Sequence, residues 1–180
     1  MTKIILIFGV IAGLIVTTSY TVSTFAHTRY GMGAGVAVGY LVMLIALALV
    51  FVGVKKYRDD HLGGVIRFST ALGVGAAISA VACFFYAASW ELYLYMTDYS
   101  FMRDYLRSTI EAKRLAGASG ADLAMFESDM AALAKDYEHP VYRTLLTLRE
   151  IAPVAIIVTF ISASLLKKSN FMPRSPAPSN

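Results

Sequence analysis

The sequence predicts an all-α integral membrane protein with four transmembrane helices and an extracytoplasmic helical hairpin between the third and fourth. Three observations predict it. The chain is 57% apolar and only 16% charged, against roughly 45–50% and 25% in soluble domains. Its charges are clustered, so that long runs carry none. Three of those runs reach the ~20 residues that a helix needs to cross ~30 Å of hydrocarbon. A mean hydropathy of +0.61 agrees. A disordered chain, a disulfide-stapled domain and a free cytosolic enzyme are excluded on these grounds. The only cysteine, Cys83, lies inside an apolar run and has no intrachain thiol to pair with.

Residues 1–168 read as one four-helix transmembrane domain. Span one covers about 4–26, Ile4 to Ala26 being free of charge. Met1-Thr2-Lys3 before it and Thr24-Phe25-Ala26 at its end resemble a signal peptide. The charge-free stretch is longer than the 7–15 residues of a signal core, so it is read as an uncleaved span. Span two covers 35–54 and span three 67–90, each again without an internal charge. Span four, 145–167, is shorter in its pure apolar part, Ile151–Leu166, and is extended backwards by Tyr142, Leu145, Leu146 and Leu148. Backbone groups find no water in lipid, so each run must be helical.

Orientation follows from Lys and Arg. Lys55, Lys56, Arg58 and Arg67 crowd the connection between spans two and three, and Lys3, Lys167, Lys168 and Arg174 fall on the same side of a four-span chain. The basic residues of the other side are diluted by most of the acids. Both termini are therefore expected in the cytoplasm. The net charge of +4 belongs to this flanking pattern and to anionic headgroups. No basic face with interleaved aromatics suggests nucleic acid. Tyr86, Trp90, Tyr93 and Tyr95 suit an interfacial belt at the outer end of span three.

The stretch 96–140 reads as two amphipathic helices. Asp98 is expected to cap the first, whose apolar stripe is Met102, Leu106 and Ile110. Gly117-Ala118-Ser119-Gly120 breaks it, and Ser119 with Asp122 resembles a capping box. The second carries Leu123, Phe126, Met130, Leu133 and Tyr137 on one face. His139-Pro140 ends it, and Pro140 suits the first position of the next helix. The stripes must pack on each other, on the membrane surface or on a partner protein.

Small residues recur at intervals of four: Gly31, Gly35 and Gly39; Gly9, Gly13 and Thr17; Ser69, Gly73 and Ala77. Such ridges let helices approach closely in lipid, within one chain or between copies. Gly63-Gly64 lets the chain turn sharply into span three, and Lys55 and Lys56 complement the negative end of span two. The hydroxyls Thr17, Thr18, Ser19, Thr21, Ser23 and Thr24 either bond to helix carbonyls or line a polar path. No Asp, Glu, Lys, Arg or His lies at the centre of a span, where relays and ion-coupled transporters keep one. Glu91, Arg149 and Glu150 come closest, with Arg149 expected to pair with Glu91. Pro153 frees a carbonyl within span four.

His27, His61 and His139 sit in three different connections, on two sides of the membrane, and make no zinc site. Asp59-Asp60-His61 reads as a solvated loop that caps span three. HExxH, GxSxG, CxxC and GxxxxGK[ST] are all missing. No catalytic, cofactor-binding or metal-binding residue is therefore assigned, and no cofactor.

Tyr57-Arg58-Asp59-Asp60-His61-Leu62-Gly63-Gly64-Val65-Ile66-Arg67-Phe68, entering a span with Ala71 and Gly75, resembles the bacterial membrane family known as domain of unknown function 4199. The Tyr137 to Pro140 element, Glu150-Ile151-Ala152-Pro153-Val154 and the Ser162 to Lys168 end are similar too. The resemblance implies a four-span protein in the inner membrane of a Gram-negative bacterium, and no reaction. Residues 169–180, with Pro173, Pro176 and Pro178, are expected to form a disordered cytoplasmic tail. The expected function is a non-enzymatic accessory or scaffold protein, in contact with the lipid bilayer and with a membrane-protein partner or further copies of itself. The alternative is a small transporter or channel subunit lined by the span-one hydroxyls.

Overall fold

The computed structural model describes residues 1–173, and every regular element among them is an α-helix. In chain order these are α1 (Thr2–Thr17), α2 (Ser19–Tyr30), α3 (Met32–His61), α4 (Phe68–Met96), α5 (Ser100–Leu115), α6 (Gly120–Tyr137) and α7 (Pro140–Leu166). Four stretches are long and apolar enough to cross a membrane: Thr2–Tyr30, Gly33–His61, Phe68–Met96 and Pro140–Leu166. The chain forms two compact units. One is Met1–Tyr86 with the segment from Glu150 onward; the other is Ala87–Arg149.

In the first unit, α1 and α2 follow each other with a break at Thr18, where two hydroxyls turn back on the helix. Thr17 Oγ1 donates to the Gly13 carbonyl at 2.8 Å and Thr18 Oγ1 to that of Ile15 at 2.7 Å. Such back-bonding loosens a helix locally. At Gly31 the backbone takes φ +91°, a conformation open to glycine, and α2 gives way at once to α3. The two helices then run close together. A Cβ on Gly35 would lie 2.8 Å from His27 Cβ, and Ser23 Oγ donates to the Gly35 carbonyl at 2.8 Å.

α1 meets α4 through Gly9 and Gly13, whose absent side chains leave room for Val81 and Phe85; a Cβ at either glycine would sit 2.6 Å from the facing Cβ. α4 meets α7 at Gly75, beside Thr159, and through the Ser79–Thr159 hydroxyl bond of 2.8 Å. Between these contacts lies a core of Val16, Leu47, Val50, Ile78, Ile151 and Leu166, all fully buried. Outward stand Leu6, Leu14, Leu41, Ile45, Ile157 and Phe160, exposed and apolar. That inside-and-outside apolar pattern is what a lipid-facing helix requires.

The sequence reading of Asp59-Asp60-His61 as a solvated loop is corrected. α3 runs on to His61 because its charges pair along the helix: Lys55 with Asp59 at 2.6 Å and Lys56 with Asp60 at 2.8 Å. The two lysines thus serve these pairs, and the basic residues of the last turn are Arg58 and His61. Arg58 has no exposed surface. Its Nε donates to Asp59 at 2.7 Å, Nη1 to the Phe171 carbonyl at 2.9 Å and Nη2 to that of Met172 at 2.6 Å. Residues 169–173, expected in a disordered tail, therefore fold over Arg58; 174–180 lie outside the described residues. The turn out of α3 uses Gly63 at φ +65° and Gly64 at φ +91°, with the Gly64 N–H returning to the Arg58 carbonyl.

Candidate functional site

The second unit comprises the last turns of α4, the helices α5 and α6, and the first turns of α7. After Met96 the chain turns through Asp98 and Tyr99, both left-handed at φ +48° and +53°. Two consecutive non-glycine residues in this region each cost about 1–2 kcal/mol. Tyr99, not Asp98, is the N-terminal boundary of α5, and no side-chain bond caps it. Ser119 does occupy the boundary of α6, extended, but without the side-chain bond of a capping box. α5 and α6 lie against each other in opposite directions. Phe101, at the start of α5, meets Tyr137, at the end of α6; at the other end Arg114 reaches Glu127 and Lys113 lies over Phe126.

At the base of this pair stands a fully satisfied ionic and aromatic cluster. Arg143 Nε and Nη2 each donate to one oxygen of Glu91 at 2.7 Å, and Nη1 donates to the Tyr137 carbonyl at 3.1 Å. The bidentate fork is the strong form of an Arg–carboxylate pair. Arg143 is 4% exposed, and its guanidinium packs over the rings of Tyr99 and Tyr137. Trp90 Nε1 donates to the Tyr137 hydroxyl at 2.7 Å, and Phe101 stands edge-on to Trp90. Burial pushes the Tyr137 hydroxyl above the usual tyrosine range, against the opposing pull of the Trp90 bond and of Arg143. It stays protonated, and its proton is not engaged by Trp90.

Beside the cluster opens a groove of about 700 Å³. Met102 and Leu106 of α5, Ala134 of α6 and Pro140 of α7 give it an apolar lining, with the rings of Tyr99 and Tyr137. Arg103 and Arg107, one turn apart on α5, and Glu138 are the exposed charges along it. Neither arginine has an ion pair or hydrogen bond among the described residues. Nor do the described residues hold a group of three side chains able to ligate a metal.

The structure brings few of the sequence-selected residues together. Glu91 belongs to the cluster and Pro140 to the groove. Arg149 does not pair with Glu91: it is exposed, and Arg143 takes the place expected for it. The reason is depth. α7 begins at Pro140, so Arg143 lies in its first turn, level with the last turns of α4, whereas Arg149 lies about 9 Å further along the helix. Glu150 belongs to the other unit and accepts from the Tyr86 hydroxyl at 2.8 Å. Pro153 lies exposed inside α7. Gly35 and Gly39 pack against Ser23, while Gly31 is the turn between helices. Gly73 faces open space.

The sequence reading gave no role to Arg143 or to Gly53, which lies against Ile78 and Phe8; it used Arg58 only as a topology charge and Gly75 only within the family resemblance. Counting helix rise from Pro140 points to Arg143, and the i,i+4 charge pairs of 55–60 point to a helix that carries Arg58 inward. Of the span-one hydroxyls, Thr17 and Thr18 bond to their own helix and Ser23 to α3.

Comparison with known families finds a match. The family described as Protein of unknown function (DUF4199) matches residues 6–168. No curated protein and no solved structure matches the chain.

Proposed function

The chain belongs to the DUF4199 family, and because that membership specifies no activity, we propose its role from the geometry: a multi-pass membrane protein that works as a non-enzymatic accessory or scaffold. In this reading the four apolar stretches cross the inner membrane of a bacterium. The turn between α3 and α4 and both termini face the cytoplasm, on the strength of Lys3, Lys55, Lys56, Arg67, Lys167 and Lys168. α5 and α6 form an extracytoplasmic hairpin.

One observation carries the scaffold role. α5 is strongly amphipathic, yet none of its residues is buried, and Tyr137 is the only buried residue of α6. Two helices held this loosely leave apolar surface such as Leu115 and Met125, 81% and 66% exposed, for another component to cover. The small-residue ridges are largely used within the chain, so α5 and α6 are the part left to meet a partner.

A photo-reactive amino acid at Leu115 or Met125, activated in intact cells, tests this. A discrete adduct at those positions, absent when the probe replaces the lipid-facing Ile157, is expected. The same diffuse labelling from all three sites would contradict it.

A further inference from the structure

The groove in the second unit combines two features that a folding role leaves unused. Arg103 and Arg107 stand one turn apart on α5, so they repel each other, and neither has an ion pair among the described residues. Arg143, also on the lining, is neutralised by its two bonds to Glu91. Glu138 is the one acid among the lining residues, exposed at the end of α6. Beneath the free cations the lining is Met102, Leu106, Ala134 and Pro140, with no charge.

Two cations above an apolar floor complement a molecule with an anionic head and an apolar tail. The volume of about 700 Å³ lies in the range of small-ligand pockets. A partner helix would need a longer trough. The position points the same way. Tyr99 follows the end of α4 and Pro140 begins α7, both candidate spans. Tyr95, Met96, Val141 and Leu145, on the adjoining turns of these helices, are 61–74% exposed. A groove at that level opens where headgroups meet acyl chains.

We propose that this groove seats one anionic phospholipid, its phosphate held between Arg103 and Arg107 and an acyl chain laid along Met102, Leu106, Ala134 and Pro140. Arg suits this because its guanidinium forks match phosphate oxygens. The proposal rests on the membrane reading above and names one component that α5 and α6 would hold.

The lone tryptophan supplies the test. Trp90 bonds to Tyr137, a residue of the groove lining, so a quencher seated there should dim its fluorescence. The full chain is reconstituted in phosphatidylcholine nanodiscs. A fixed small fraction of lipid is replaced by acyl-brominated phosphatidylglycerol or acyl-brominated phosphatidylcholine. Phosphatidylglycerol should be preferred by up to about thirtyfold, the scale of two arginines at about 1 kcal/mol each near an anionic surface. The preference should shrink at high salt. It should disappear in Arg103→Gln/Arg107→Gln while quenching by phosphatidylcholine is unchanged. Both positions are exposed, and Gln matches Arg in helix propensity, so the unfolding midpoint should hold.

Equal quenching by the two headgroups, or a preference that survives in the double variant, would overturn the proposal and leave the membrane reading standing. Reversal of the preference by excess glycerol phosphate would assign the groove to a soluble phosphate ester and overturn the lipid. No quenching by either lipid would overturn both the lipid site and the membrane reading.

Discussion

Removing the Arg143 side chain strands the Glu91 carboxylate, opens the packing over Tyr99 and Tyr137, and frees the Tyr137 carbonyl. Losing one partner of a buried pair costs about 3–5 kcal/mol. Glu91 is about a third exposed, with 32% of its side-chain surface open, and recovers part of that from water. Arg143→Ala should therefore destabilise the protein by about 2 kcal/mol in equilibrium unfolding in mild detergent. Arg149→Ala, at an exposed position, should change stability by less than about 0.5 kcal/mol. The pair of variants separates the two arginines cleanly, since equal losses would contradict the assignment. A carboxylate finds the cation at its own level, and sequence distance from a span is a poor guide to that level until the first residue of the helix is fixed.

At the scale of elements, the apolar runs made the four long helices legible, because backbone in an apolar run has only the helix to satisfy it. Their ends were not. α3 continues through Lys55, Lys56, Asp59 and Asp60, charges that look like a loop in a list and like paired i,i+4 contacts on a helix. Small-residue spacing was half informative. It found Gly9, Gly13 and Gly35 at close approaches, but placed Gly73 on a ridge when it faces open space. Spacing fixes a shared face, and only the neighbouring helix decides whether that face is covered.

The same substitution should thus have opposite signs at two glycines. Gly13→Ala drives a Cβ to 2.6 Å from Phe85 Cβ and should cost about 1–3 kcal/mol. Gly73→Ala should be neutral or stabilise by up to about 1 kcal/mol. Thermal unfolding in one detergent compares them. The C-terminal turn offers a third case. Truncation after Lys168 removes the Phe171 and Met172 carbonyls from Arg58, a charged donor, and should cost about 1–3 kcal/mol. Arg58→Ala should cost at least as much, and the truncation should add little on top of it, because both delete the same bonds. Additive losses would show that the turn holds α3 by some other contact.

For the whole molecule, the central claim is that α5 and α6 stand on one side of a bilayer and the α3–α4 turn on the other. Two positions report on it directly. Leu62 lies exposed in the α3–α4 turn, and Ala118 lies between α5 and α6. Single cysteines at each, in a Cys83→Ala background, can be challenged in intact cells with a thiol reagent that does not cross membranes. With the outer envelope permeabilised, the cysteine at 118 should react at once, and the cysteine at 62 only after the inner membrane is opened. Equal reaction of both before that step, or protection of 118 with reaction of 62, would contradict the account.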